Sequence, residues 1–163
     1  MAENSTNKTT TNFSGSIDLS VLRKKRFLID NDESRVLELD TSDLSIIQRL
    51  SDKYPELEKL SREVENITTG VSASEETVKE DIQVMAERLT KIDKEMRACV
   101  DYIFDADVSK ICAPSGSMYD PINGQLRYEH LITILMGLYE ENLSKEMKKI
   151  QNRMKSHTDK YTK

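Results

Sequence analysis

The residues that most resemble a chemical site begin at Asp105. Asp105, Asp107 and Ser109 carry oxygen atoms at alternate positions, as does the start of an EF-hand calcium loop. Such a loop has glycine at its sixth position and glutamate at its twelfth, whereas this chain has Lys110 and Gly116 there. The stretch therefore predicts the acidic end of a helix and not a calcium site.

The other residues that could catalyse a reaction or bind a metal are two histidines and two cysteines. His130 and His157 lie far apart, and no further ligands stand near them at metal-binding spacing. Cys99 and Cys112 form neither a disulfide framework nor a zinc set, and their setting is typical of reduced, buried, intracellular thiols. Phosphate-binding loops, dinucleotide fingerprints and nucleophile elbows are absent from the sequence. We therefore expect a protein that is not an enzyme and uses no cofactor.

The composition favours long helices in one domain. The chain has 163 residues, of which 37% are hydrophobic and 33% charged, with 5 glycines, 3 prolines and no tryptophan. It contains no apolar run long enough for a membrane span, and its first fifteen residues lack the apolar centre of a secretory signal. We therefore expect a cytoplasmic protein that does not contact a membrane.

The charge distribution is uneven along the chain. The formal net charge is -5, but residues 145–163 hold seven lysines or arginines against two acidic residues. Basic residues near the end of a helix complement its dipole, which explains this cluster without a nucleic-acid ligand. Nucleic-acid binding is accordingly not the expected function.

The pattern along the chain predicts a mainly α protein with a small N-terminal β-hairpin. Residues 1–20 form a flexible polar tail, and residues 21–163 form a single helical domain. In residues 26–39, apolar side chains alternate on both sides of a run of turn formers, which indicates the hairpin. Helices are predicted near residues 43–68, 73–112 and 126–157.

Capping residues and one proline mark the predicted helix boundaries. Residues 40–43 (DTSD) carry short polar side chains that accept hydrogen bonds from a helix start. Ser72 and Glu75 form a capping box at the start of the longest helix. Pro55 should break or kink the first helix near Tyr54, because proline lacks the backbone N–H that an inner turn needs.

Two apolar helix faces are the candidate protein-binding surfaces. The longest helix repeats apolar residues four and three positions apart from Val78 to Ile103, which is typical of a coiled-coil seam. The last helix has an apolar face that is unusually broad between Leu131 and Tyr139 and narrows afterwards. The predicted binding residues on these two faces are Leu89, Ile92, Met96, Leu131, Leu135, Leu138 and Tyr139.

The order of these parts resembles the tail assembly chaperones of tailed bacteriophages. The resemblance covers residues 26–150: a hairpin ending in residues 37–43 (LELDTSD), a long charged helix running into residues 99–112 (CVDYIFDADVSKIC), a loop and a final amphipathic helix. The loop at residues 114–124 is longer than the Gly-rich turn usual in that family, and the N-terminal tail and basic C-terminus are additional. The resemblance implies a host-cytoplasm chaperone that binds the hydrophobic tape-measure protein before the tail tube polymerises around it.

Two other functions are compatible with the same pattern. A homo-oligomer is compatible with the chaperone function and with both of these. The first is a structural coiled-coil subunit of a larger assembly such as a virion. The second is a regulatory protein that contacts nucleic acid through its basic C-terminal helix. The seven methionines suit an adaptable surface for a long helical client, although methionine also fills gaps in ordinary cores.

Overall fold

A computed structural model describes residues 13–18, 24–69 and 78–161 of the chain. Within the predicted polar tail, residues 13–18 have no regular secondary structure, and residues 1–12 and 19–20 lie outside the described part. The predicted capping box of Ser72 and Glu75 also lies outside it. The described residues form a mainly α protein with a small N-terminal hairpin, which confirms the predicted fold class.

The hairpin consists of β1 (Lys24–Ile29) and β2 (Asp32–Asp40), paired antiparallel with Phe27 opposite Leu37. Asp30 and Asn31 form a two-residue turn with φ of 54° and 57°. Left-handed backbone at both central positions is the geometry that matches the twist of the flanking strands, and Asp and Asn tolerate it well. The turn is therefore shorter than the run of turn formers suggested, and the pairing register shifts after Leu28.

The first helix, α1, spans Ser45–Thr69. Its start confirms the capping role of residues 40–43, because an Asp43 carboxylate oxygen accepts a hydrogen bond from the Ser45 N–H at 2.9 Å. Pro55 lies inside the helix and does not break it, contrary to one reading of the sequence. Pro55 is exposed, so the carbonyl left without a helical donor can bond to water, while buried Leu57 and Leu60 hold the following turns on the core.

The predicted helix over residues 73–112 is wrong at its C-terminal end. The second helix, α2 (Val78–Phe104), stops before Asp105, whose φ of 48° reverses the chain. A short helix, α3 (Val108–Cys112), follows. The Asp101 carboxylate accepts hydrogen bonds from both the backbone N–H and the hydroxyl of Ser109, each at 2.7 Å, and so holds the start of α3 beside the end of α2.

The segment after α3 contains a second, very short hairpin. Strands β3 (Pro121–Ile122) and β4 (Gln125–Leu126) flank a turn at Asn123 and Gly124, both with positive φ. The last helix, α4, then spans Arg127–Tyr161 and is longer than the predicted residues 126–157.

The core lies where α1, α2 and the first turns of α4 meet the inner face of β2. The Arg49 side chain, near the start of α1, donates a 2.8 Å hydrogen bond to the Ile103 carbonyl at the end of α2, so these helices run antiparallel. The rings of Phe104 and Tyr139 lie 6.0 Å apart and join α2 to α4. The buried apolar residues are Leu37, Leu39, Ile46, Leu57, Leu60, Val64, Ile67, Ile92, Met96, Cys99, Val100, Ile103, Phe104, Val108, Ala113, Met118, Tyr128, Ile132, Leu135 and Tyr139.

Among the described helices, none combines the length and the apolarity that crossing a membrane requires.

Candidate protein-binding groove

The broad apolar face of α4 is mostly part of the core. Leu135 and Tyr139 are only 4% and 1% exposed, while Leu131 and Leu138 are half-buried. Because Leu135 and Tyr139 pack in the protein's own core, Tyr139 is not accessible to a client in this state, and Leu135 exposes only a small part of its surface. Burial raises the pKa of the Tyr139 hydroxyl to about 12, in keeping with its enclosed position.

The predicted seam of α2 also packs within the chain. Ile92 and Met96 are buried in the core, and Leu89 is half-buried beside it. Ile82, nearer the start of the seam, is 53% exposed. The inner part of the seam is thus covered by this chain and is unavailable to a partner.

An apolar cleft of about 510 Å³, here called the hairpin groove, opens beside α4. Its walls are the turn end of the β1–β2 hairpin, the segment that follows α3 and the first turns of α4. It includes two of the predicted site residues, Leu131 and Leu135. The groove is lined by Leu28, Ile29, Asp30, Arg35, Cys112, Ala113, Pro114, Ser115, Ile122, Arg127, His130, Leu131, Ile134 and Leu135.

Two large exposed side chains make this groove a surface feature rather than part of the core. Leu28 and Ile134 are each 52% exposed, and half-buried Leu131 and Ile29 also line the groove. Sequence reasoning missed Leu28 and Ile134. Leu28 lies on the opposite face of β1 from Phe27, and a single exposed apolar residue on a strand does not by itself indicate a binding site. Only the folded chain brings it beside Ile134.

Two arginines fix the polar rim of the groove. Arg35 donates hydrogen bonds from its guanidinium to the carbonyls of Ile111 and Cys112, at 3.0 and 3.1 Å, and forms a 2.9 Å ion pair with Asp30. Arg127 donates to the Ser115 carbonyl at 2.6 Å. These bonds tie the end of α3 to the hairpin and the loop after α3 to α4, so the arginines hold the groove walls in place.

Arg97 orders the same loop from the core side. It pairs with Asp93 at 2.7 Å and donates hydrogen bonds to the carbonyls of Ser109, Ala113 and Gly116, at 3.1, 2.9 and 2.7 Å. Gly116 has a φ of 77°, and a Cβ there would lie 2.6 Å from the Arg127 guanidinium. The positive φ therefore favours glycine at this position, whereas the guanidinium is the end of a flexible side chain that can move aside.

Neither cysteine has the properties of a catalytic nucleophile. Burial raises the pKa of the Cys99 thiol to about 11, with Glu56 adding to the effect, and burial likewise raises that of Cys112 to about 11. A thiol with so high a pKa is almost entirely protonated near neutral pH, and the thiolate is the reactive form. Cys112 thus contributes an apolar surface to the groove.

A second cleft, of about 570 Å³, is polar and acidic. Its lining includes Glu38, Asp101, Asp105 and Asp107 together with Lys24. Asp101 is already engaged at the start of α3. Across residues 13–18, 24–69 and 78–161, no group of His, Cys, Asp and Glu could hold a metal ion. The hairpin groove is the better match for an apolar side chain of a partner.

The basic end of α4 is partly neutralised by its own acidic residues. Lys145 pairs with Glu141 at 2.7 Å, and Lys149 pairs with Glu146 at 2.8 Å. These ion pairs reduce the positive potential that a phosphate backbone would meet.

A comparison with protein-family models gives no match, and no curated protein or solved structure shows significant similarity to this chain.

Proposed function

We propose that this protein is a non-enzymatic assembly chaperone that binds an amphipathic helix of another protein in the hairpin groove. The observation that carries the proposal is the exposed pair Leu28 and Ile134, which flanks a cleft with a largely apolar lining. Amphipathic helices bind to such grooves by inserting apolar side chains spaced three and four residues apart.

The dimensions of the groove support this kind of ligand. Its volume of about 510 Å³ falls within the range of ~300–1,000 Å³ that is usual for binding pockets. A groove of this size accepts a few side chains of a client helix while the rest of the helix lies on the surface. The bonds from Arg35 and Arg127 hold the walls in place before binding, which limits the entropy lost on association.

The resemblance to phage tail assembly chaperones suggests which client to test. We propose the tape-measure protein, a long helical protein that needs its apolar faces covered until the tail tube forms, with the host cytoplasm as the site of action. The alternative of a structural coiled-coil subunit receives less support, because Ile92 and Met96 of the predicted seam are buried within the chain.

The test is binding of the tape-measure protein from the same genome to groove variants. Leu28→Asp and Ile134→Asp should weaken binding at least tenfold, because each places a charge on a surface that must be desolvated. Both side chains are half exposed, so the circular dichroism spectrum and the unfolding midpoint should stay close to wild type.

Leu44→Asp is the matched control, since Leu44 is 62% exposed and lies outside the groove lining. It should leave binding unchanged. Equal binding by all three variants would place the client site elsewhere on the molecule.

A further inference from the structure

The second half of α4 extends beyond the core. From residue 144 onwards the helix continues to Tyr161, a length of ~27 Å at ~1.5 Å per residue. No residue from 144 to 156 is buried, and only Glu146 is even half-buried. Isolated helices of this length are marginal in water, so a helix in this position gains stability from a partner along its side.

The apolar residues on this part of α4 follow the spacing of a coiled coil. Leu143, Met147, Ile150 and Met154, here called the α4 stripe, are separated by four, three and four residues. Met147 is 50% exposed, Ile150 39% and Met154 63%. Met147 and Ile150 are absent from the core cluster of the described residues. The stripe thus offers an apolar seam to another helix.

The charges beside the stripe distinguish one partner from others. Glu146 and Arg153 lie seven residues apart, each directly before a stripe methionine, and therefore on the same flank. In an antiparallel pair of identical helices, the flank that carries Glu146 and Arg153 on one helix faces the same flank of the other helix. If Met147 lies opposite Ile150 of a second copy, Glu146 lies opposite Arg153 of that copy, and symmetry forms this ion pair twice.

The same charges disfavour a parallel arrangement. In a parallel pair opposite flanks meet, and Glu146 would then face Gln151 without a charge partner. Arg153 forms no ion pair with any residue of the described part, so it is available to a second chain. Glu146 pairs with Lys149 through one carboxylate oxygen and retains the other.

We propose that the second half of α4 pairs antiparallel with the same segment of a second copy, through the α4 stripe and two Glu146–Arg153 ion pairs. The α4 stripe contains only four apolar residues, so the interface buries less than the ~1,200 Å² of standard stable complexes. The dimer is therefore weak and concentration-dependent. The hairpin groove is lined by residues from the first turns of α4, so the dimer does not depend on the groove binding a client.

Sedimentation equilibrium of the full chain from roughly 5 μM to 1 mM tests the dimer; this range spans Kd values typical of weak contacts. Wild type should shift from monomer to dimer within it. Ile150→Asp should remain monomeric throughout. Val84→Asp, at an exposed apolar position of α2 that is 55% accessible, should dimerise as wild type does. A wild-type monomer at the highest concentration overturns the proposal, as does an unaffected Ile150→Asp dimer.

A charge exchange tests the orientation. Glu146→Arg alone and Arg153→Glu alone each place like charges opposite one another and should raise the dimer Kd at least fivefold. The double variant restores opposite charges across the antiparallel interface and should bring the Kd back to within about twofold of wild type, an experiment in the form of a double-mutant cycle. Single variants without effect, or a double variant weaker than either single, overturn the antiparallel register. Circular dichroism confirms that each variant keeps its helices.

Discussion

Four arginine side chains in this protein donate hydrogen bonds to main-chain oxygen atoms. Arg35, Arg49, Arg97 and Arg127 all donate to carbonyls, and most of these carbonyls lie at or just after the C-terminal ends of α2 and α3. The last carbonyls of a helix lack intrahelical donors, and a planar guanidinium can satisfy several of them at once. These polar bonds therefore add to the apolar packing of buried Ala113 and Met118 in holding the loop after α3.

Arg97 is the most heavily engaged of these residues, and its replacement should be costly. Arg97→Lys keeps the charge but cannot reproduce hydrogen bonds to three carbonyls and to Asp93. We expect a loss of ~2–4 kcal/mol in the free energy of unfolding, since a hydrogen bond to a charged group contributes ~1.5–3 kcal/mol. Urea denaturation of wild type and of Arg97→Lys measures this loss in the free energy of unfolding.

Arg62→Lys provides the comparison, because the Arg62 side chain is 73% exposed and makes only a 3.7 Å ion pair with Glu58. Its effect should stay within ~0.5 kcal/mol. Similar losses for both variants would mean that the Arg97 bonds contribute little to stability.

The two thiols predict how stability changes with pH. Burial raises the pKa of Cys99 and of Cys112 from 9.0 to about 11. A raised pKa in the folded state means that the unfolded chain loses its proton first as the pH increases. The thiol contribution to stability is therefore complete below pH 9 and is lost between pH 9 and about 11.

Denaturant unfolding at pH 8, 9 and 10 tests this dependence. The Cys99→Ala, Cys112→Ala double variant should lose most of the decline between pH 9 and 10, because the cysteines of the unfolded chain ionise about one pH unit before its tyrosines. An identical decline in the double variant would assign the pH dependence to other groups.

At the level of single elements, the sequence predicted the first hairpin and the three long helices, but it did not predict α3, the short β3–β4 hairpin or the end of α2. The alternation of Phe27 with Ile29 and of Leu37 with Leu39 identified the hairpin correctly. The end of α2 was missed, because the apolar pattern continues through Val108 and Ile111 while the chain reverses at Asp105. A positive φ at a non-glycine residue such as Asp105 cannot be recognised from the spacing of apolar residues. The surrounding structure stabilises that backbone conformation.

The hairpin should unfold together with the helices. Phe27 packs on the core and is half-buried, so Phe27→Ala should reduce the free energy of unfolding by ~1–3 kcal/mol, less than the ~3–5 kcal/mol of a fully buried phenylalanine. The neighbouring Leu28→Ala removes an exposed side chain and should change stability by less than ~0.5 kcal/mol. Thermal unfolding followed at 222 nm compares the two. Equal midpoints for Phe27→Ala and wild type would mean that the hairpin folds independently of the core.

At the scale of the whole molecule, the candidate site was only partly predictable. Leu131 lines the hairpin groove and stays a predicted binding residue, whereas Tyr139 lies in the core, where its ring packs near that of Phe104, 35 positions earlier. A helical pattern shows that a face is apolar, but the remaining elements decide whether that face is covered. The groove joins residues from β1, the loop after α3 and α4, and no local pattern connects those segments.

The division of α4 into a core half and an exposed half predicts the effect of truncation. None of residues 144–156 is buried, so deleting residues 144–163 should change the free energy of unfolding of the monomer by less than ~1 kcal/mol. Denaturation at about 2 μM, where a weak dimer has dissociated, isolates this effect. A truncated chain that no longer unfolds cooperatively would show that the exposed half supports the core.

The contact between Phe104 and Tyr139 can form only late in synthesis, because α4 is the last element of the described chain. The hairpin, α1 and α2 leave the ribosome first, with the apolar side of Phe104 still uncovered. Tyr139 emerges 35 residues later, a delay of roughly 2–7 s at ~5–20 residues per second. During that interval the face of Phe104 that packs near Tyr139 has no partner from α4, which leaves apolar surface exposed on the nascent chain.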